Sequence, residues 1–324
     1  MNFHTDHRLL FGLAAGIFVV LTVIIAIVPA WRIMEVPPTP GLQPLTPVEQ
    51  RGRELYITEG CSYCHTQQVR PVRHDLLYGR PSTAGDYYYH TPQLLGTGRT
   101  GPDLADIGNR QPDETWHLIH LYQPRAVVKE SIMPSYWWYF EVKDRAEPGD
   151  TLVPVPPPYA REGKVVVASR DALALLAYLQ SLRQPKLDMS LFPVLMPQPA
   201  AAAPGGAPAP TGEGQLRALG AQVYGAHCAR CHQASGEGTP GLYPPLRGST
   251  RVLNRDFSDH VRVVLRGLSG ELIGGKTYSG KMPPFAEVLT DEEIAAVVLH
   301  ERTSWGNQAP GPTAEDVKKL RGQP

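Results

Sequence analysis

Cys61-Ser62-Tyr63-Cys64-His65 is the stretch whose reading decides the fold, and its pattern returns at Cys228-Ala229-Arg230-Cys231-His232. Each is C-x-x-C-H, the spacing for covalent attachment of a c-type haem. Two thiols on one short turn add to the two vinyl groups of a porphyrin edge, and the histidine that follows is carried to the iron. The chain has four cysteines, and these motifs use all of them. A zinc ribbon needs two C-x-x-C pairs about 15–20 residues apart, and these pairs lie much farther apart. A thioredoxin-like C-x-x-C belongs beside a βαβ pattern, and none surrounds either motif. The reading is therefore two covalently bound c-type haems, attached at Cys61 and Cys64 and at Cys228 and Cys231.

The 324 residues suggest two domains. Net charge is zero, which gives no electrostatic case for nucleic acid. Residues 32–192 hold 17 Lys/Arg against 18 Asp/Glu, and residues 211–308 hold 10 against 10, so neither part is a strongly charged docking surface. Abundant proline and glycine fit loop-rich small domains joined by a linker.

Working outward, Leu9 to Val28 is uncharged for 20 residues. As a helix it spans about 30 Å, the thickness of a bilayer core. Arg8 precedes it, and Trp31-Arg32 follows at interfacial depth. A cleavable signal peptide has an apolar region of about 7–15 residues, so an uncleaved anchor is the better reading. Gly12 and Gly16 form a small-residue face suited to helix packing, although glycine is common in membrane helices. Attachment of c-type haem takes place on the outer side of an energy-transducing membrane. The expected location is the bacterial cytoplasmic membrane, crossed once, with the globular domains on the periplasmic side.

Residues 35–47 are a proline-rich tether. Thr46-Pro47-Val48-Glu49 reads as a capping box that opens a helix to about Glu59, with Gly52 and Tyr56 on one face. Tyr139 to about Ala168 reads as a small hairpin or loop excursion, and Arg170-Asp171 opens a helix through Leu182 that would cross the Gly52/Tyr56 helix. Residues 193–212 are a Pro/Ala/Gly linker which, if flexible, spans about 25 Å root-mean-square. Gly220 and Tyr224 then mirror Gly52 and Tyr56, and Thr290-Asp291-Glu292-Glu293 opens a last helix to about Thr303. The domains expected are an anchor at 1–34, a first globular domain at 35–192, the linker at 193–212, a second domain at 213–308 and a tail at 309–324.

His65 and His232 are the proximal iron ligands. The sixth ligand should be a thioether or a second imidazole. Met34 adjoins the membrane and Met189 follows the last helix of the first domain, which leaves Met133. Its rivals, His117 and His120, sit with Trp116 on an apparent helix and are expected to pack or face solvent. Met282 is the only methionine after the second motif. Arg70 and Arg73 are candidates to pair with haem propionates or a catalytic partner, with a solvated face as the alternative.

Residues 1–140 resemble the mono-haem, membrane-anchored subunit II of cbb3-type cytochrome c oxidases. The resemblance is carried by Gly52-Arg53-Glu54-Leu55-Tyr56-Ile57, Glu59-Gly60-Cys61 through His65, Arg70-Pro71-Val72-Arg73, Arg99-Thr100-Gly101-Pro102-Asp103-Leu104 and Met133-Pro134-Ser135-Tyr136. Residues 211–308 are similar to class I cytochrome c domains through Tyr278-Ser279-Gly280-Lys281-Met282-Pro283-Pro284 and Ser304-Trp305-Gly306-Asn307. The resemblance implies a mainly α fold: one N-terminal transmembrane helix and two class I cytochrome c domains, the first with a small loop/β insertion. It also implies that the Pro102 and Tyr243-Pro244-Pro245-Leu246 loops each offer a proline carbonyl to a proximal histidine. The family's subunit II usually ends soon after its first domain, whereas here a second cytochrome follows.

The function implied is electron transfer without an independent active site, because His/Met ligation fills both axial positions. A soluble cytochrome c or similar donor would deliver electrons to the C-terminal haem. They would pass through the N-terminal haem to a membrane-embedded catalytic oxidase subunit. The related alternatives are the donor subunit of a nitric oxide reductase and a stand-alone membrane-tethered shuttle. A dihaem peroxidase would require an open iron, against which both methionines argue.

Overall fold

The computed structural model describes residues 6–192, 212–270, 272–273 and 275–323. Helix α1 (His7–Met34) is long and apolar enough to cross a membrane, and among the described residues nothing buries its apolar span. Asp6 caps it, its carboxylate accepting from the N–H groups of Arg8 and Leu9 at 3.1 and 3.2 Å. The tether that follows is pinned within a few residues. Buried Thr39 donates its hydroxyl to Asp86 (2.7 Å), which Arg80 also grips.

The first module is built on α2 (Pro47–Thr58), α3 (Glu114–Tyr122) and α4 (Arg170–Ser181). The α2 capping box forms as its sequence demands, with Thr46 Oγ1 accepting from Glu49 N–H while Glu49 accepts from Thr46 N–H at 2.7 Å. Ser169 caps α4 through Ala172 N–H (3.2 Å). Helices α2 and α4 cross at Gly52, where a Cβ would stand 1.9 Å from the Ala174 carbonyl oxygen. Beside the crossing, Tyr56 and Tyr178 meet edge-on at 5.4 Å, a contact worth about 1 kcal/mol beyond its buried area. Between α3 and α4 lie β1 (Phe140–Lys143), β2 (Leu152–Val153) and β3 (Val165–Ala168), an antiparallel sheet in the order β1-β3-β2. Its register pairs Phe140 with Ala168 and Val153 with Val166, and the inward side chains join the first core.

The second module uses α5 (Glu213–Val223), α6 (Ser258–Arg266), α7 (Asp291–Thr303) and α8 (Ala314–Arg321). Its crossing repeats the first: a Cβ at Gly220 would stand 2.1 Å from the Ala296 carbonyl oxygen, and Tyr224 packs against His300. Helix α8 corrects the expectation of a tail at 309–324. Thr313 and Asp316 form a capping box, and Val317 and Leu320 sink into the second core, so the module runs on past residue 308. The linker expected at 193–212 lies outside the described residues except for Gly212. The second module is not free at the end of that linker, because it docks on α3 through the contacts described below.

A charged brace holds the chain after the first motif. Asp75 and Asp103 are fully buried, and Arg99 reaches both, at 2.5 and 3.2 Å. Asp103 also accepts from Thr66 Oγ1 (2.5 Å) and Gln68 N–H (2.9 Å), tying the segment beyond His65 to the Pro102 loop. Arg70 is bidentate on Asp75 (2.8 and 3.0 Å), so its guanidinium is already engaged within the chain. The side chain of Arg73 lies outside the described residues.

Burial works to raise the Asp75 carboxyl, but hydrogen bonds from Arg70 and Arg99 outweigh it and hold it well below the usual carboxylate range. A depressed folded value contributes stability above the unfolded pKa of about 4 and loses it as pH falls toward the folded value. Asp75→Asn is expected to destabilise the protein by about 2 kcal/mol at pH 7. The gap to the parent, measured by urea unfolding, should close as pH drops below about 4; a constant gap from pH 7 to pH 3 would contradict the brace. At the crossings, no flexible side chain can yield to an added methyl group. Gly52→Ala and Gly220→Ala should each cost about 3 kcal/mol, read as a lowered thermal midpoint. Unchanged midpoints would show that the helices separate freely.

Candidate haem sites

Helix α2 ends three residues before Cys61, so the Gly52 crossing sets where the first motif begins. His65 Nδ1 bonds the Pro102 carbonyl oxygen at 2.8 Å, which leaves Nε2 as the nitrogen for iron. The Pro102 loop reaches the ring because Gly101 has no Cβ; one built there would sit 2.2 Å from His65 Cε1. Burial lowers the His65 pKa and favours the neutral imidazole, the ligating form.

Met133 is half-buried and packs against the first core. Its loop lies beside the motif, since Tyr136 and Cys61 share the first core with Met133 and the Tyr139 hydroxyl donates to Glu59 at 2.5 Å. Both rival histidines on α3 turn inward. His117 Nε2 bonds the Gln111 carbonyl (2.8 Å), and His120 stacks on Trp116 at 4.5 Å and 16°. Burial pushes them to about 4 and about 3, so both are neutral at pH 7.

The second site is a crevice lined by Cys228, Cys231, His232 and Met282 together. His232 Nδ1 bonds the Pro244 carbonyl at 2.9 Å, the same arrangement as at His65. Burial lowers the His232 pKa as well. Met282 is fixed by backbone bonds exchanged with Leu268 (2.9 and 3.0 Å), which turn its loop into the crevice.

The two motifs differ in what covers them. Cys64 is exposed and Tyr63 is 78% exposed, whereas Cys228 and Cys231 are buried. The cover over Cys231 comes from the first module. The Trp116 indole N–H donates to the Arg230 carbonyl (3.0 Å), and the Gln111 amide approaches Cys231 Sγ at 3.7 Å. The Tyr243 hydroxyl donates to Asp113 (2.6 Å), and the Gln233 amide donates to the Val127 carbonyl (3.0 Å). The sequence reading quoted Tyr243 only within the loop that carries Pro244 and passed over Gln111 and Asp113. Their one legible signal was Asp113 as the helix cap of α3.

The chemistry of these residues fits a c-type haem. Burial pushes the Cys61 and Cys231 thiols up to about 12 and raises Cys228 well above its ordinary value, an environment for neutral sulfur such as a thioether and not for a zinc-binding thiolate. Among the described residues no cluster of three or more His, Cys, Asp or Glu is arranged to hold a metal ion by itself. Arg110 is buried with Nε unpartnered, and burial followed by the nearby Arg230 pushes its guanidinium down to about 9. A porphyrin carboxylate would answer the orphaned donor.

Comparison with known proteins agrees with this geometry. Residues 3–153 match the family described as cytochrome c oxidase, mono-haem subunit/FixO, and residues 217–304 match the cytochrome c family. Cytochrome c-552 of Thermus thermophilus is 44% identical over 114 residues, which cover 32% of this chain and 86% of that protein. The cytochrome c subunit of a quinone-dependent alcohol dehydrogenase from Gluconobacter oxydans is 39% identical over 103 residues, or 32% of this chain and 22% of that subunit. The cytochrome subunit of fructose dehydrogenase from Gluconobacter japonicus is 32% identical over 108 residues, 22% of its length. With His–Pro pairs repeated at both motifs, the chain belongs to the cytochrome c family, its N-terminal part matching the FixO mono-haem subunit family and its C-terminal part a cytochrome c domain.

Proposed function

We propose that the chain is a dihaem electron-transfer subunit of a membrane-bound haem-copper oxidase of the cbb3 type. The observation that carries the reading is the second crevice, where Cys228, Cys231, His232 and Met282 converge, with the His–Pro pair echoed at His65. Cys61, Cys64, Cys228 and Cys231 would hold the two haems covalently, and His65, Met133, His232 and Met282 would bind their irons. A haem so ligated exchanges one electron between ferrous and ferric iron and offers no open position to substrate.

The protein's part is to orient and insulate. The Pro102 and Pro244 carbonyls fix each proximal ring and raise its basicity. Helix α1 spans the bacterial cytoplasmic membrane, and the tether pinned at Thr39 keeps the first module close to it, on the periplasmic side. The first module therefore faces the membrane-embedded catalytic subunit, and its exposed Cys64 edge suits that exchange. The second module receives electrons from a soluble cytochrome c or similar donor and passes them to the first across the docked interface.

Met133→Ala and Met282→Ala should each abolish the methionine-to-iron charge-transfer absorption of one haem and leave the other's. A spectrum unchanged by either substitution would remove that ligand. Purification in mild detergent should bring down an oxygen-reducing haem-copper subunit. A nitric-oxide-reducing partner would move the chain to the related reductases, and isolation without any large partner would make it a tethered shuttle.

A further inference from the structure

We propose that the second haem site belongs to both modules, with Asp113 of the first module setting its redox poise through Tyr243 of the second. This rests on the reading that the second crevice holds a haem.

Asp113 is 6% exposed and lies just before α3. One oxygen of its carboxylate caps the helix through Thr115 N–H (3.0 Å), and the other accepts the Tyr243 hydroxyl across the interface (2.6 Å). Burial, then the neighbouring Cys231 and Asp113, pushes the Tyr243 phenol far above its ordinary value, so it serves as a fixed donor. Tyr243 touches the segments that carry both axial ligands. The next residue's carbonyl holds His232 Nδ1 (2.9 Å). Its ring lies against Gly280, two residues before Met282, where a Cβ would come within 2.2 Å of it. Gln111, 1% exposed, lines the same crevice and directs its amide at Cys231 Sγ (3.7 Å), the thioether sulfur once haem is attached.

The physical consequences have opposite signs. A buried carboxylate stabilises the more positive, oxidised haem and lowers its potential, an effect strengthened by the low interior dielectric. Buried Arg110 and Arg230 at the same interface act the other way, and replacing Asp113 leaves them in place. An amide donor at the thioether sulfur withdraws electron density and favours the reduced state. Simple loss of docking would do something else: it would admit water to the crevice and lower the potential whichever residue was changed.

The test is spectroelectrochemical titration of the full-length holoprotein in detergent, with haem counted by pyridine haemochrome. The second wave is identified as the one that Met282→His moves. Asp113→Asn keeps the side-chain shape and an acceptor for Tyr243, and should shift the second wave positive by about threefold or more in its reduction equilibrium, some 30 mV for one electron. The first wave should hold still. Gln111→Leu should shift the second wave negative. A second wave that stays put or falls in Asp113→Asn overturns the proposal, as does an equal shift of both waves. If Asp113→Asn does not fold, Asp113→Ser, which keeps a side-chain oxygen at the helix cap, takes its place: a positive shift confined to the second wave supports the proposal, and a wave that stays put or falls overturns it. A chain with one haem would overturn the function proposed above together with this inference, whereas two haems with an unmoved second wave overturn this inference alone.

Discussion

The contact on which the rest depends is the approach of α2 to α4 at Gly52, where backbone meets backbone with no side chain between them. Carbonyl oxygen against Cα is closer than any other residue type permits. From that fixed point α2 has only two further turns before it delivers Cys61 and Cys64, and α4 packs back on α2 with Tyr178 against Tyr56. The second module solves the same problem the same way, with Gly220 under Ala296 and Tyr224 beside His300. A porphyrin anchored at two sulfurs and one nitrogen tolerates little error in where the motif starts. The tightest packing therefore stands just ahead of each motif.

That logic explains what could be read from the sequence. Capping boxes at Thr46/Glu49 and Thr290/Glu293 are local, three-residue signals, and both form. The Gly/Tyr pair recurs because each crossing needs one small and one large residue on a single helical face. The helix at 314–321 carried the same kind of signal, with Thr313 and Asp316 as cap and Val317 and Leu320 as its buried stripe. Short length and a polar setting hid it, and only the pocket it fills in the second core reveals its place. Arg70 was misleading for a related reason. A cation near a haem motif invites a propionate, but a buried aspartate five residues on claims it first.

The docking of the modules was not legible at all, and its chemistry shows why. Its polar contacts come from single side chains, Asp113 with Tyr243, Trp116 with Arg230 and Gln111 with Cys231, each pair more than 100 residues apart in sequence, while Leu242 and Tyr243 pack into the first core. None has a periodicity or a spacing rule. Net charge was no guide either, because the bonds are mostly between neutral groups. A proline-rich linker invites the picture of two independent beads. Yet a linker's composition sets only how far a module can travel, not whether something holds it.

Docking makes the two halves of the chain unequal. In the first module the edge of the haem motif lies open, with Cys64 and Tyr63 exposed. In the second the corresponding edge is sealed by α3, and the sealing residues are ones that bear on the proximal histidine and a thioether sulfur. A partner protein can reach the first motif directly. One that reaches the second module meets some face other than the Cys231 edge, because the first module occupies that edge. The covered edge excludes water and keeps the interior dielectric low, which is the condition under which a single carboxylate or amide has leverage on a buried charge. Geometry that holds the modules together thus also gives each a different electrostatic setting, from two motifs built on the same C-x-x-C-H frame.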